Sequence, residues 1–195
     1  MKAPRLLTGV VLFTLCGAMV AGCAGQANSP ATSSAADHPV SGDIPDNTVY
    51  VAVTAPSGAF SVKVPQGWAQ TAGAAATTIY TDKLNSISFQ QMAAATAPDT
   101  SAVRVGLVPQ LRSSQSGFAL KDVSAVSLPA GTAIRVRYTA DAAANAVTGK
   151  ATTDAVEAYV FWRKGTEAVL TLSGPESADN VDPWKTVSES FAWAS

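Results

Sequence analysis

Histidine and cysteine, the side chains most often used for acid–base and nucleophilic chemistry near neutral pH, are few in this chain of 195 residues, with 1 His and 2 Cys. The single histidine, His38, lies in a stretch of small and polar residues that we expect to be flexible. A histidine that acts as a general base or a metal ligand needs a rigid setting. The sequence therefore argues against a Ser-His-Asp or Cys-His arrangement in the folded part. Because zinc and copper sites normally use His and Cys, we predict no catalytic residue, no metal and no cofactor.

Carboxylates are the remaining acid–base candidates. Their short-range pairs are Asp43 and Asp46, Asp154 and Glu157, and Asp179 and Asp182. A glycosidase needs two carboxylates at a defined separation across a cleft, which a sequence does not reveal, and scattered surface acids are the simpler interpretation. An enzyme built on carboxylates alone stays an alternative to be tested. The acids do not follow EF-hand spacing, and the glycines near residues 105–107 and 147–150 are too few for a phosphate-binding loop.

Two arginines on one predicted strand are candidate contacts for an anionic ligand. Arg135 and Arg137 alternate with apolar residues, so both should point to the same side of the strand. Arg163 and Lys164 fall at the next predicted hairpin. Together these side chains could form a small positive patch for a carboxylate or phosphate group. The alternative, which we favour, is the solvated outer face of an antiparallel sheet.

The N-terminus has the parts of an export signal. Lys2 and Arg5 form a short positive end, residues 6–15 are mostly apolar, and small residues follow. Residues 20–23 read Val-Ala-Gly-Cys and resemble the lipobox of bacterial lipoproteins. The resemblance implies a signal peptide over residues 1–22, cleavage between Gly22 and Cys23, and attachment of fatty acyl chains such as palmitate at Cys23. An ordinary cleaved signal and an uncleaved anchor are the alternatives, but a spanning helix needs about twenty apolar residues.

A lipid on Cys23 would place the protein at the outer face of the cytoplasmic membrane, with the bilayer as its first partner. Each buried CH₂ adds about 0.8 kcal/mol of membrane affinity, so two acyl chains hold far better than one. Cys16 would leave with the signal peptide. The mature chain would then have neither a free thiol nor a disulfide.

Composition divides the remaining chain into a tether and a domain. Residues 23–47 contain few large apolar side chains, which predicts a flexible tether. Residues 48–195 have the ordinary size of one domain. Without Lys2 and Arg5, the 13 basic residues become 11 against 14 acidic ones, a formal charge of −3. Because no basic stripe is present, we do not expect nucleic acid as a partner.

The domain is predicted to be α+β, with an antiparallel β-sheet packed by helices. Alternating patterns and turn residues predict strands over residues 49–53, 60–64, 77–81, 87–92, 132–139, 156–162 and 167–172. A helix should begin at Asp99 and Thr100, and Pro109 inside this segment predicts a kink or two short helices instead of one smooth helix. Asp179 and Asn180 should cap a last helix that lies on the sheet.

This order of elements resembles the PsbP-like fold, known in a photosystem extrinsic protein and a Ran-binding protein. It is also similar to actinobacterial lipoproteins of the LpqN type, which share that fold behind a lipobox. The residues that carry the resemblance are 60–68 (Phe-Ser-Val-Lys-Val-Pro-Gln-Gly-Trp), 108–112 with 117–118, and 188–191. The resemblance implies a non-enzymatic envelope protein that binds partners, and it brings no catalytic residue to carry over.

Our first hypothesis is therefore a membrane-anchored envelope lipoprotein whose domain is a non-catalytic binding or scaffolding module. Its partner would be another envelope protein or a wall component. The alternative is a carrier of a lipid or other apolar ligand in the envelope. An apolar cavity of several hundred Å³ would favour the carrier, whereas a packed interior with an exposed apolar patch would favour protein binding.

Overall fold

The computed structural model describes residues 40–82, 84–142 and 152–195. The chain divides into two units, residues 1–37 and residues 38–195. The predicted signal peptide, Cys23 and His38 lie outside the described residues, as does most of the loop predicted between residues 140 and 153. In the described part, no helix is long and apolar enough to cross a membrane.

Alternating apolar residues fold about half of the described chain into antiparallel strands. The strands are β1 Tyr50–Thr54, β2 Phe60–Pro65, β3 Ala69–Ala72, β4 Thr78–Thr81, β5 Ser86–Ala93, β6 Ala119–Leu128, β7 Gly131–Asp141, β8 Thr153–Arg163, β9 Thr166–Pro175 and β10 Ala192–Trp193. Seven of them form one sheet in the order β3-β4-β5-β9-β8-β7-β6, and three form a second sheet in the order β1-β2-β10. The α+β prediction with an antiparallel sheet is confirmed.

Three strands were not predicted from the sequence: β3, β6 and the two-residue β10. The residues of β3, Ala-Gln-Thr-Ala, are all exposed, so no apolar alternation marks them. In β6, the register with β7 shifts between Leu120 and Asp122, and this bulge interrupts the alternation of buried and exposed side chains. Strands β3 and β6 lie at the two edges of the large sheet, where burial constrains the sequence least.

The helices are α1 Thr100–Val105, α2 Leu107–Ser114 and α3 Val181–Glu189. Asp99 starts α1 as predicted, because its Oδ1 accepts a hydrogen bond of 2.7 Å from the Ala102 backbone N–H. The two short helices break at Gly106 and not at Pro109. Pro109 lies in the first turn of α2, where the N–H that proline lacks would have no helical partner.

The large sheet carries a core on each face. On one face, the three-stranded sheet and α3 cover an aromatic stack in which the Phe161 and Phe191 ring centroids are 3.9 Å apart. On the other face, Val136 and its neighbours on β7 pack under α1 and α2. Trp162 is only half-buried, and its indole N–H donates to the Ala94 carbonyl over 2.8 Å. The prediction that the last helix lies on the sheet is confirmed.

Residues 40–48 form a strap that packs against the domain. Ile44 is buried, and its backbone N–H donates to Asn180 Oδ1 over 2.9 Å. The Gly42 carbonyl accepts from Asn85 Nδ2 at 3.0 Å and from Asn180 Nδ2 at 3.1 Å. The composition of residues 40–47 predicted that they belong to the flexible tether. That prediction missed the strap because the asparagines that bind it, Asn85 and Asn180, are distant in the chain. Asn180 occupies the N-cap position of α3, but its side chain serves the strap and makes no cap hydrogen bond.

Candidate functional site

An open cleft of about 400 Å³ runs between α3 and the part of the large sheet that α3 leaves uncovered. Its walls come from β6, β7 and β8, from the end of β9 and the segment after it, and from α3. The lining residues are Val126, Leu128, Arg135, Ala155, Glu157, Tyr159, Pro175, Ala178, Asn180, Val181, Trp184, Lys185, Ser188 and Glu189. Below, we call this feature the α3 cleft.

The floor of the α3 cleft holds a charged network on neighbouring strands. Arg135 of β7 pairs in register with Tyr159 of β8, which places Glu157 two residues away on the same face. Arg135 Nη1 lies 3.9 Å from Glu157 Oε1, and the Tyr159 hydroxyl donates to Glu157 Oε2 over 2.5 Å. Burial, together with the hydrogen bond and negative charge of Glu157, raises the pKa of Tyr159 to about 12. Tyr159 is therefore a neutral hydrogen-bond donor near pH 7.

Arg135 also carries an unusual polar atom. Its Nε is buried and has no hydrogen-bond partner within the described chain. A buried donor without a partner costs free energy, and such atoms are uncommon in folded proteins. The Nη1 of the same guanidinium lies near Glu157, so the unpartnered group is the Nε–H alone.

Arg137 lies on the same face as Arg135, as predicted, and it too has an acidic neighbour. Arg137 Nη2 is 3.9 Å from Asp122 Oδ2. A hydrogen bond from the Ser124 hydroxyl, over 2.7 Å, and the nearby Arg137 charge lower the pKa of Asp122. The charges of the two arginines are thus balanced by Asp122 and Glu157.

The second half of the predicted positive patch lies elsewhere. Arg163 is at the hairpin end of β8, and its Nη1 donates to the Ala194 carbonyl over 3.0 Å. Lys164 follows it in the turn with a positive φ of 48°. The predicted patch grouped Arg163 and Lys164 with the arginines of β7 because the two predicted strands follow each other in the chain. In the antiparallel register, however, Arg135 lies opposite Tyr159, four residues before Arg163.

The helical wall of the α3 cleft was only partly foreseen. Trp184 packs against the core with one side and lines the cleft with the other. Val181, one turn earlier, is 72 % exposed. The predicted helix spacing pointed to Trp184 but not to the cleft, because the opposite wall includes Val126 and Leu128 of the unpredicted strand β6.

The predicted carboxylate pairs do not form paired acids in one cleft. Asp154 and Glu157 are three residues apart on β8, so their side chains point to opposite faces of the sheet. Burial raises the pKa of Asp154. Asp43 accepts the Asp179 backbone N–H at 2.9 Å and serves the strap. In residues 40–82, 84–142 and 152–195, no three His, Cys, Asp or Glu side chains are grouped so as to hold a metal ion.

Comparison with known proteins identifies the fold. No family model matches the sequence, and no curated protein matches it. Among solved structures, the Ran-binding protein Mog1p of Saccharomyces cerevisiae has a TM-score of 0.52 at 12 % identity, with 74 % of this chain and 95 % of that chain covered. The cyanobacterial PsbP (CyanoP) of Synechocystis sp. PCC 6803 has a TM-score of 0.52 at 15 % identity, covering 78 % and 98 %.

Two further structures have lower scores. LpqN of Mycobacterium tuberculosis, described as involved in cell envelope biogenesis, has a TM-score of 0.46 at 16 % identity and covers 77 % of this chain and 93 % of that chain. For a protein from Bacteroides thetaiotaomicron, the present chain spans 48 % of that chain's length. The order and pairing of the elements, together with the CyanoP and Mog1p likenesses, show that the described domain has a PsbP-like fold.

Proposed function

We propose that this protein is a cell-envelope lipoprotein whose PsbP-like domain binds a protein partner and does no chemistry on it. The α3 cleft is the proposed docking site, and the observation that carries the proposal is its mixed lining. Val126, Leu128 and Trp184 offer apolar surface, while Arg135 and Glu157 offer both signs of charge on the floor. A protein segment that combines an apolar side chain with polar neighbours matches such a lining.

The size and shape of the α3 cleft agree with this use. A volume of about 400 Å³ lies at the low end of the range for ligand pockets, and it suits one or two inserted side chains. Trp184 supplies a rigid aromatic wall of the kind enriched at binding hot spots. The fold supports such a role by analogy, since Mog1p is a Ran-binding protein.

The alternative function, a carrier of a lipid or other apolar ligand, fits this cleft less well. An acyl chain lying in the α3 cleft would cover Arg135, Glu157 and Lys185 without offering them hydrogen bonds. Desolvating charged groups without compensation is costly. A ligand with a polar head group at the floor would reduce that cost, so the carrier remains the second candidate.

Membrane attachment through Cys23 is the second part of the proposal, and it rests on the lipobox-like residues 20–23. With Cys23 acylated, residues 24–39 would lie between the lipid anchor and the strap.

The anchor is tested by the intact mass of the natively produced protein extracted with detergent. The expected mass is that of residues 23–195 plus two or three acyl chains, and Cys23→Ala should move the protein from the membrane to the soluble fraction. An unlipidated wild-type chain in the soluble fraction would refute the anchor. It would leave the docking site of the domain unaffected.

The docking site is tested by photo-cross-linking in living cells. A photoreactive amino acid replaces Val181, which is 72 % exposed on the rim of the α3 cleft, or Val105, which is 77 % exposed on α1 across the sheet and serves as the matched control. We expect a discrete protein adduct from position 181 and not from position 105. Filling the cleft with Val126→Trp should abolish that adduct while the far-ultraviolet circular dichroism stays unchanged.

Two outcomes would overturn protein docking in the α3 cleft. One is equal labelling from both positions, and the other is an adduct from position 181 that survives Val126→Trp. A lipid adduct at position 181 that Val126→Trp removes would replace the first candidate by the carrier.

A further inference from the structure

The edge of the small sheet formed by β1 offers backbone groups that no described residue uses. In the β1–β2 ladder, the Gln66 N–H donates to the Val49 carbonyl and the Ala55 N–H to the Phe60 carbonyl. Residues 49, 51, 53 and 55 therefore direct their backbone groups toward β2. The N–H and C=O groups of Tyr50, Ala52 and Thr54 point away from β2, to the side where no described strand lies.

The other sheet edges carry features that discourage pairing, and β1 does not. The β6 edge bears Lys121, Asp122 and a bulge. The β3 and β10 edges are four and two residues long. Charges, bulges and shortness are the usual means by which proteins blunt an exposed edge. The β1 sequence Tyr-Val-Ala-Val-Thr has five residues with neither charge nor proline, and its Val51 is 38 % exposed.

We infer that β1 is a self-pairing surface that joins two copies of this chain, antiparallel and centred on Ala52. A two-fold axis through Ala52 places Tyr50 opposite Thr54 of the second copy and Ala52 opposite its own equivalent. Each of these three opposed pairs exchanges two N–H to C=O hydrogen bonds. The two three-stranded sheets then become one continuous sheet.

The charges near the axis permit this arrangement. Lys63 of β2 lies beside Ala52 in the ladder and is exposed. In the paired sheet, Lys63 and its equivalent in the second copy are separated by both β1 strands. The separation is three strand spacings, or about 14 Å. That distance exceeds the Debye length of about 8 Å at physiological ionic strength. Since β1 has no charge of its own, two copies that pair at this edge do not bring like charges on β1 together.

The experiment uses the full chain in cells, with single cysteines introduced by Ala52→Cys, Thr54→Cys or Ala72→Cys. Opposed residues of a hydrogen-bonded antiparallel pair have Cα atoms about 5.5 Å apart, within the range for a disulfide. Two copies of Thr54 would be about 14 Å apart in this register, and Ala72 lies on the exposed edge strand β3. We expect a disulfide-linked dimer with Ala52→Cys after mild oxidation, and only the background of the wild-type chain with the other two.

A proline pair tests the backbone contact without cysteine. Ala52→Pro removes an N–H that points away from β2 and leaves the hydrogen bonds of the β1–β2 ladder intact. Edge strands tolerate proline at such positions. Ala72→Pro is the matched control, because the Gly73 N–H donates to the Thr77 carbonyl and residue 72 therefore faces outward from β4. We expect Ala52→Pro to lower the dimer fraction measured by light scattering about tenfold or more, and Ala72→Pro to leave it unchanged.

Three results would overturn the inference. These are a wild-type chain that is monomeric by light scattering at all concentrations tested, an Ala52→Cys yield no higher than that of Ala72→Cys, and an equal response to both prolines. All three readouts concern β1, so they are independent of the result at the α3 cleft.

Discussion

Replacing Asn180 by alanine should loosen the strap and cost a large part of the domain's stability. The Asn180 side chain makes three hydrogen bonds: Oδ1 accepts from the Ile44 N–H at 2.9 Å, and Nδ2 donates to the Gly42 carbonyl at 3.1 Å and to Asn85 Oδ1 at 3.0 Å. Asn180 and Asn85 are 4 % and 1 % exposed, so water does not reach their side chains while the strap is in place.

The magnitude follows from these contacts. Each intramolecular hydrogen bond contributes about 0.5–1.5 kcal/mol net, and a buried polar group that loses its partner costs about 1–3 kcal/mol. The variant retains the Ile44 N–H and Asn85 Oδ1 without the partner that Asn180 supplied. Because the strap can move away and let water in, we expect a loss of about 2–4 kcal/mol in the free energy of unfolding. Against a typical total of 5–15 kcal/mol, that is a large fraction.

Urea unfolding followed by tryptophan fluorescence measures the effect. With a slope of about 2 kcal/mol per molar urea, the middle of the range for small proteins, the midpoint should fall by about 1–2 M. The matched control is Asn47→Ala, an exposed position of the same strap, which should change the midpoint little. Limited proteolysis should also remove residues before 48 faster in Asn180→Ala than in the control.

The reasoning would be refuted by a loss below about 1 kcal/mol, or by equal effects of Asn180→Ala and Asn47→Ala. A double-mutant cycle with Asn85→Ala gives a further check. The two asparagines hydrogen-bond each other at 3.0 Å, so the double variant should lose less than the sum of the two single variants.

Three further predictions concern the core and the cleft floor. Burial and Glu157 raise the pKa of Tyr159 to about 12, above the usual value of 10.0, so the stability that Tyr159 contributes is fully present below pH 10 and is lost as the pH rises to 12. Urea midpoints measured between pH 9 and 12 should therefore fall less steeply with pH in Tyr159→Phe than in the wild type. An equal slope in both proteins would contradict this prediction. Phe191→Ala should lower the free energy of unfolding by about 3–5 kcal/mol in the same assay, because the ring is 2 % exposed in the aromatic stack. Trp162→Ala should lower it less, because Trp162 is only half-buried. The reverse order would be inconsistent with the packing. Gly174→Ala should cost about 1–3 kcal/mol, since its Cβ would lie 2.2 Å from Asn85 Oδ1, and a neutral effect in thermal unfolding would show that Asn85 can move aside.

The local pattern of the sequence was enough for most of the fold. The alternation in β2 and β7, the turn at residues 56–58 and the start of α1 at Asp99 are set by neighbouring residues. Such features depend on the period of two in strands and on helix capping, both of which are visible within a few positions. The lipobox-like residues 20–23 are equally local, and they lie outside the described part of the chain.

The tertiary structure decided the features that depend on residues far apart in sequence. The strap joined the domain through Asn85 and Asn180, 43 and 138 residues from Gly42. The α3 cleft arose because β6, β8 and α3 meet there, and the charges of its arginines were balanced by acids on neighbouring strands. Burial and hydrogen bonding across the sheet are properties of the register between strands, and no single segment encodes that register. The sequence by itself therefore determined most of the elements and the export signature, whereas the packing decided which side chains share a site.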